Sequence, residues 1–147
     1  MKKVLMLLFF VAIAISCTQG KRVIEKDDIL GEWKEIQVRK TKNTPVEKIS
    51  DCSNDGLTKG SVYTFNSDGT YLQKAICPDA KSEERGRWSY SDNILVLKIN
   101  ASNEEIEYKY SVSDQGKNQI KFSFVLFRKD ANIIDYIDGY YVVLEKQ

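Results

Sequence analysis

The side chains with chemical potential in this sequence are a few carboxylate pairs, three cysteines and a long series of tyrosines. Asp27-Asp28, Glu83-Glu84 and Glu104-Glu105 have the composition of acid/base couples. Adjacent residues on a strand point to opposite faces, however, so the two members of such a pair cannot act on one substrate, and all three pairs read as solvated surface. Serines such as Ser89 and Ser111 have no histidine to activate them, because the chain contains none. Neither Ser-x-x-Lys, nor a glycine-rich nucleophile turn, nor a phosphate loop is present. Lacking histidine, the chain has neither the usual general base near neutral pH nor the commonest ligand for zinc, copper and iron. The expectation is therefore a protein that is not an enzyme and holds no metal or other cofactor.

The tyrosines are more informative. Tyr63, Phe65, Tyr71, Trp88, Tyr90, Leu95, Leu97, Tyr108, Tyr110, Phe122, Phe124 and Tyr140 alternate with polar neighbours and would share one interior face. A wall of rings bearing a few hydroxyls suits a small hydrophobic or amphipathic ligand, the rings giving area and the phenols fixing orientation. The same rings could instead fill the interior, each phenol bonding to backbone or water. Both readings stand at this point.

The elements that must carry these residues are short alternating segments separated by turn residues, which is the pattern of an antiparallel barrel or sandwich. Eight are expected: 32–39, 61–66, 70–77, 85–90, 94–99, 105–113, 120–126 and 140–146. A change of phase between Trp33 and Ile36 marks a bulge in the first. In the sixth, Ile106, Tyr108, Tyr110 and Val112 fall on one face, and Glu105, Glu107, Lys109 and Ser111 on the other. Ser67-Asp68-Gly69 and Ser91-Asp92 are tight turns. Residues 40–59 and 129–138 are expected to be loops. Eight such strands can close into an all-β, antiparallel up-and-down barrel, which removes every sheet edge and is about the smallest barrel able to hold one ligand. The longer loops then collect at one end and the tight turns at the other.

The N-terminus supplies an address. Lys2 and Lys3 precede an apolar run from Val4 to Ile15, too short to span a bilayer comfortably, and the segment ends in Ala14-Ile15-Ser16-Cys17. That ending resembles the bacterial lipobox, in which the cysteine is acylated and becomes the first residue of the mature chain. Thr18, in place of an aspartate, favours the outer membrane. Residues 1–16 are thus expected to be a lipoprotein signal peptide, 17–28 a lipidated tether and 29–147 the folded domain. Full-length charge is 22 Lys plus Arg against 21 Asp plus Glu, and loss of Lys2 and Lys3 leaves a slight acidic excess. Nothing in that balance favours nucleic acid, and the tether is lipid, not charge. With Cys17 lipidated, Cys52 and Cys77 remain as a pair in an oxidising compartment, where a disulfide is expected. The up-and-down topology brings both to the end that carries the longer loops.

Three stretches carry a family resemblance: Leu30-Gly31-Glu32-Trp33, Tyr63-Thr64-Phe65 leading into Asp68-Gly69-Thr70-Tyr71, and Gly86-Arg87-Trp88-Ser89-Tyr90. Together they resemble the lipocalin-like domain of small exported lipoproteins from Bacteroidetes-type bacteria, over about 29–145. The resemblance implies that Gly31 and Trp33 plug the closed end of the barrel. The resulting expectation is a monomeric, outer-membrane-tethered protein that binds a small hydrophobic or amphipathic molecule. The alternative is an interaction module, an inhibitor or assembly accessory of the cell envelope, that meets a protein partner through the loops at the open end.

Overall fold

Aromatic and β-branched residues alternating with polar ones keep most of this chain extended. The computed structural model describes residues 22–49, 60–77, 82–101, 104–129, 132–135 and 138–147. A one-turn helix, α1 (Lys26–Ile29), precedes ten strands: β1 (Gly31–Arg39), β2 (Glu47–Lys48), β3 (Ser61–Phe65), β4 (Thr70–Ala75), β5 (Glu83–Ser91), β6 (Ile94–Ala101), β7 (Glu104–Gly116), β8 (Gln119–Lys129), β9 (Asn132–Asp135) and β10 (Tyr141–Lys146). Each of β3 to β8 pairs antiparallel with the next, β1 pairs with both β3 and β10, and β10 also pairs with β8. The ring β1-β3-β4-β5-β6-β7-β8-β10 is therefore a closed, eight-stranded, antiparallel up-and-down barrel of the expected kind.

Two segments expected to be loops each contribute a strand. β2 pairs with β1 at Gln37 and Val38, beyond the point where β3 leaves off at Lys34. β9 pairs with β8 between Phe127 and Lys129, beyond the point where β10 leaves off at Ser123. In both cases a long strand outruns its neighbour and exposes unpaired N–H and C=O groups, which a short extra strand then satisfies. The expected bulge is present, as a register shift between Glu35 and Gln37 against β10.

The two ends differ. Three tight turns close one of them, with Gly69 at φ 81°, Asp92 and Asn93 at 51° and 60°, and Lys117 and Asn118 at 50° and 59°. Paired positive φ values match the right-handed twist of the flanking strands, and the turn after β5 thus centres on Asp92-Asn93, one residue later than expected. The N-terminal segment covers this end. Ile24, which the sequence assigned to the tether, is only 5% exposed and joins the fully buried Ile29 in the core, so the folded unit begins earlier than residue 29. Their apolar character is inconspicuous inside a charged stretch, yet the base of the barrel needs a cap. Trp33 Nε1 donates to Ile29 O at 2.8 Å, the Tyr90 hydroxyl donates to Ile24 O at 2.9 Å, and Lys146 Nζ lies 5.3 Å from the Trp33 ring centroid. Above this cap Phe65, Trp88 and Phe122 pack with Leu95 and Leu144, and Phe65 meets Trp88 edge-on at 5.3 Å. That half of the barrel is filled.

Candidate functional site

The other half is not filled. Toward the open end, Glu35, Ser61, Tyr63, Gln73, Glu84, Leu97, Tyr108, Tyr110 and Tyr140 surround a cavity of about 270 Å³. A larger cleft of about 350 Å³ lies at the sealed end, between the N-terminal segment and the β7–β8 turn. In that groove Arg22 pairs with Asp28, Lys146 lies over the Trp33 ring and Asp114 accepts the Gly116 N–H, so most of its charged side chains, Lys117 apart, already serve the cap and the turn.

Strand parity positions each wall residue. On β1, Glu35 stands two residues beyond Trp33 and so faces inward; it is only 6% exposed. Its Oε2 accepts the Ser61 N–H at 2.9 Å, and its Oε1 accepts the Tyr63 hydroxyl at 3.0 Å. Burial raises the Glu35 carboxyl above its ordinary value of 4.5, and the two hydrogen bonds oppose that shift without cancelling it. On β5, Glu84 shares the inward parity of Gly86, Trp88 and Tyr90, and its Oε1 accepts the Tyr71 hydroxyl at 2.6 Å.

Gly86 makes the second contact possible. It lies opposite Tyr71 in the β4–β5 register, and a Cβ there would stand 2.6 Å from Tyr71 Cε1 and 2.1 Å from Lys98 O. Only a residue without a side chain lets the Tyr71 ring lie across the strand with its hydroxyl on Glu84.

The remaining phenols are held protonated. Burial first, then the field of Glu35, pushes Tyr140 up to about 12. Burial likewise raises Tyr110, helped by neighbouring phenols and by Glu35 and Glu84, and raises Tyr108 beside Glu84. Tyr63 is raised well above its usual value by burial and by Glu35. Near neutral pH these groups are hydrogen-bond donors and polar rings, not bases or nucleophiles. The arrangement can orient and hold a molecule. Among the described residues no cluster of three or more acidic or cysteine side chains is placed to hold a metal, and no helix is long and apolar enough to cross a membrane.

The residues expected to share an interior divide into two groups. Tyr63, Tyr108, Tyr110 and Tyr140 line the cavity with Leu97, and Tyr71 reaches it through Glu84. Phe124 stands behind them, 5.7 Å from Tyr110 and 6.2 Å from Tyr140. Phe65, Trp88 and Phe122 belong to the filled half, and Tyr90 is turned to the sealed end, so these four are packing residues and not part of the cavity wall. Gly31 and Trp33 stand at the sealed end, where β1 begins. Cys77 follows β4 at the open end and is disulfide-bonded. Cys52 and Cys17 lie outside the described residues, as do residues 1–16, where a signal peptide was expected.

Of the two wall carboxylates, Glu84 was expected at the surface and Glu35 was not singled out by the sequence. Glu83 and Glu84 do point to opposite faces, but one of those faces is the lumen. No protein-family model, curated protein or solved structure matches this chain.

Proposed function

We propose that this protein is a lipid-anchored capture barrel of a bacterial envelope, holding a small molecule in the open half of its lumen. The observation that carries this reading is the cavity of about 270 Å³ inside a barrel whose other half is solid. A barrel serving only as a scaffold would gain stability by filling that space with apolar side chains. Here the space is walled by phenols and two carboxylates instead, groups that stabilise little in an empty lumen and recognise much in an occupied one.

The resemblance to lipocalin-like domains is supported by the placement of Gly31 and Trp33 at the closed end. Anchoring through Cys17 fits the same geometry. The chain enters at the sealed end, and the five Cα-to-Cα steps from Cys17 to Arg22 reach no more than about 18 Å when extended. The mouth then faces away from the lipid and toward solute.

Native mass spectrometry of the full-length lipoprotein, extracted in detergent from its own membrane, tests the proposal. A small molecule released on activation supports it. A co-purifying polypeptide with an empty barrel favours the interaction module instead, and an empty barrel with no companion defeats capture. Cys17→Ser is expected to move the protein from the membrane to the soluble fraction; unchanged fractionation would refute lipidation.

A further inference from the structure

The capture reading leaves the class of ligand open, and the charges of the lumen narrow it. Glu35 and Glu84 bring two carboxylates to one cavity, and none of the described residues lining it is a lysine or arginine. Their hydrogen-bond partners are the Ser61 N–H and the hydroxyls of Tyr63 and Tyr71, all neutral donors that solvate a carboxylate without balancing its charge. A second feature is independent of the acids. Tyr110 faces the cavity between Phe122 and Phe124, and its hydroxyl meets no hydrogen-bond partner among the described residues. The ring is partly buried, and the hydroxyl can donate to or accept from an occupant of the cavity.

Resting on the capture reading, we infer that the ligand is a small organic cation, an amine whose ammonium lies between Glu35 and Glu84 and whose body lies against the rings of Tyr63, Tyr110 and Tyr140. Three properties of the lumen act in the same direction. An ammonium supplies the counter-charge the wall lacks, and it donates to carboxylate oxygens that still have unused lone pairs. The electron-rich faces of the tyrosines attract a cation as well. The Tyr110 hydroxyl can take a hydrogen bond from the ammonium or from a polar substituent. An anion of equal size would face two carboxylates with no cation to offset them, so the site selects by repulsion as well as by attraction.

The test compares three probes that share a phenethyl group and differ in charge, on the full-length protein in detergent by titration calorimetry near neutral pH: phenethylammonium, phenethyl alcohol and hydrocinnamate. Phenethylammonium is expected to bind about tenfold or more tighter than the alcohol, the ratio that loss of one charged hydrogen bond produces, and hydrocinnamate not at all. Glu84→Gln keeps an acceptor for Tyr71, and Glu35→Gln keeps one for the Ser61 N–H while its NH2 can donate to the Tyr63 hydroxyl; each is expected to erase most of the preference for the cation. Thermal melts show which variants remain folded, and either one suffices. Equal binding of alcohol and ammonium, tighter binding of hydrocinnamate, no binding of phenethylammonium, or a folded variant that keeps the full preference overturns the amine assignment. Equal binding leaves capture itself standing, whereas capture falls only if the natively purified barrel is empty.

Discussion

Tyr63→Phe removes a single oxygen and isolates the energetics of the cavity wall. The ring keeps its neighbours, stacked 6.1 Å from Phe65 and edge-on to Phe122 at 6.3 Å, so packing in the filled half is preserved. What disappears is the donor 3.0 Å from Glu35 Oε1, while Oε2 retains the Ser61 N–H. A hydrogen bond to a charged group is worth about 1.5–3 kcal/mol, and the adjoining cavity can admit water to the orphaned oxygen, so the low end of that range applies, about 1.5–2 kcal/mol. For a domain of this size that corresponds to a fall in melting temperature of roughly 3–10 °C.

The pH dependence gives a second check on the same variant. The folded-state pKa of Glu35 is raised above its ordinary 4.5, so between those two values the native state binds more proton than the unfolded state. The favourable contribution of this carboxyl is complete below the unfolded value and is lost as pH rises through the folded one. Tyr63 moderates that loss by bonding the carboxylate. The deficit of Tyr63→Phe is thus largest near neutral pH and shrinks toward about pH 4, where Glu35 is protonated in both proteins. Urea denaturation of the full-length protein followed by circular dichroism at the two pH values measures both effects. A variant as stable as the wild type near neutral pH, or a deficit that grows on acidification, would refute the account of Glu35.

Three further outcomes follow from the same geometry. Gly86→Ala forces a Cβ to within 2.1 Å of Lys98 O and 2.6 Å of the Tyr71 ring, and is expected to cost about 1–3 kcal/mol by overpacking; an unchanged urea midpoint would contradict the close approach. Trp33→Phe loses the bond to Ile29 O and weakens the contact with Lys146, with an expected cost of about 1–2 kcal/mol and faster hydrogen exchange at residues 24–30. Equal exchange in the two proteins would show that the N-terminal segment does not seal the barrel through Trp33. Cys77→Ser removes the disulfide at the open end and is expected to cost about 2–4 kcal/mol, with a reductant lowering the wild type to the same level and leaving the variant unaffected; reductant sensitivity in the variant would refute the assignment.

Local alternation was enough to locate the ring. Every one of its eight strands falls within three residues of the place the sequence indicates, because apolar and polar residues trade places with period two wherever one face is wet. Turn chemistry at Ser67-Asp68-Gly69 and the phase change near Ile36 were equally readable, since each depends on a few neighbouring residues. The same parity places Glu35 beside Trp33, and Glu84 in line with Gly86, Trp88 and Tyr90. For Glu84 charge argued for the surface, and charge is the stronger prior for a single residue.

Whether an inward carboxylate can be buried depends on donors supplied from elsewhere in the chain. For Glu35 these are Ser61 and Tyr63, 26 and 28 residues away, and they reach it only once β1 and β3 pair. β2 and β9 have a similar origin, because they answer to edges that exist only when neighbouring strands of unequal length are assembled. The lumen is the clearest case. Each tyrosine carries its own pattern, but the space left among β1, β3, β4, β5, β6, β7 and the segment before β10 is a remainder of packing, and a remainder belongs to no residue. Periodicity and turns are properties of neighbours along the chain. Burial, charge balance and empty volume are properties of neighbours in space, and these arise on closure of the barrel.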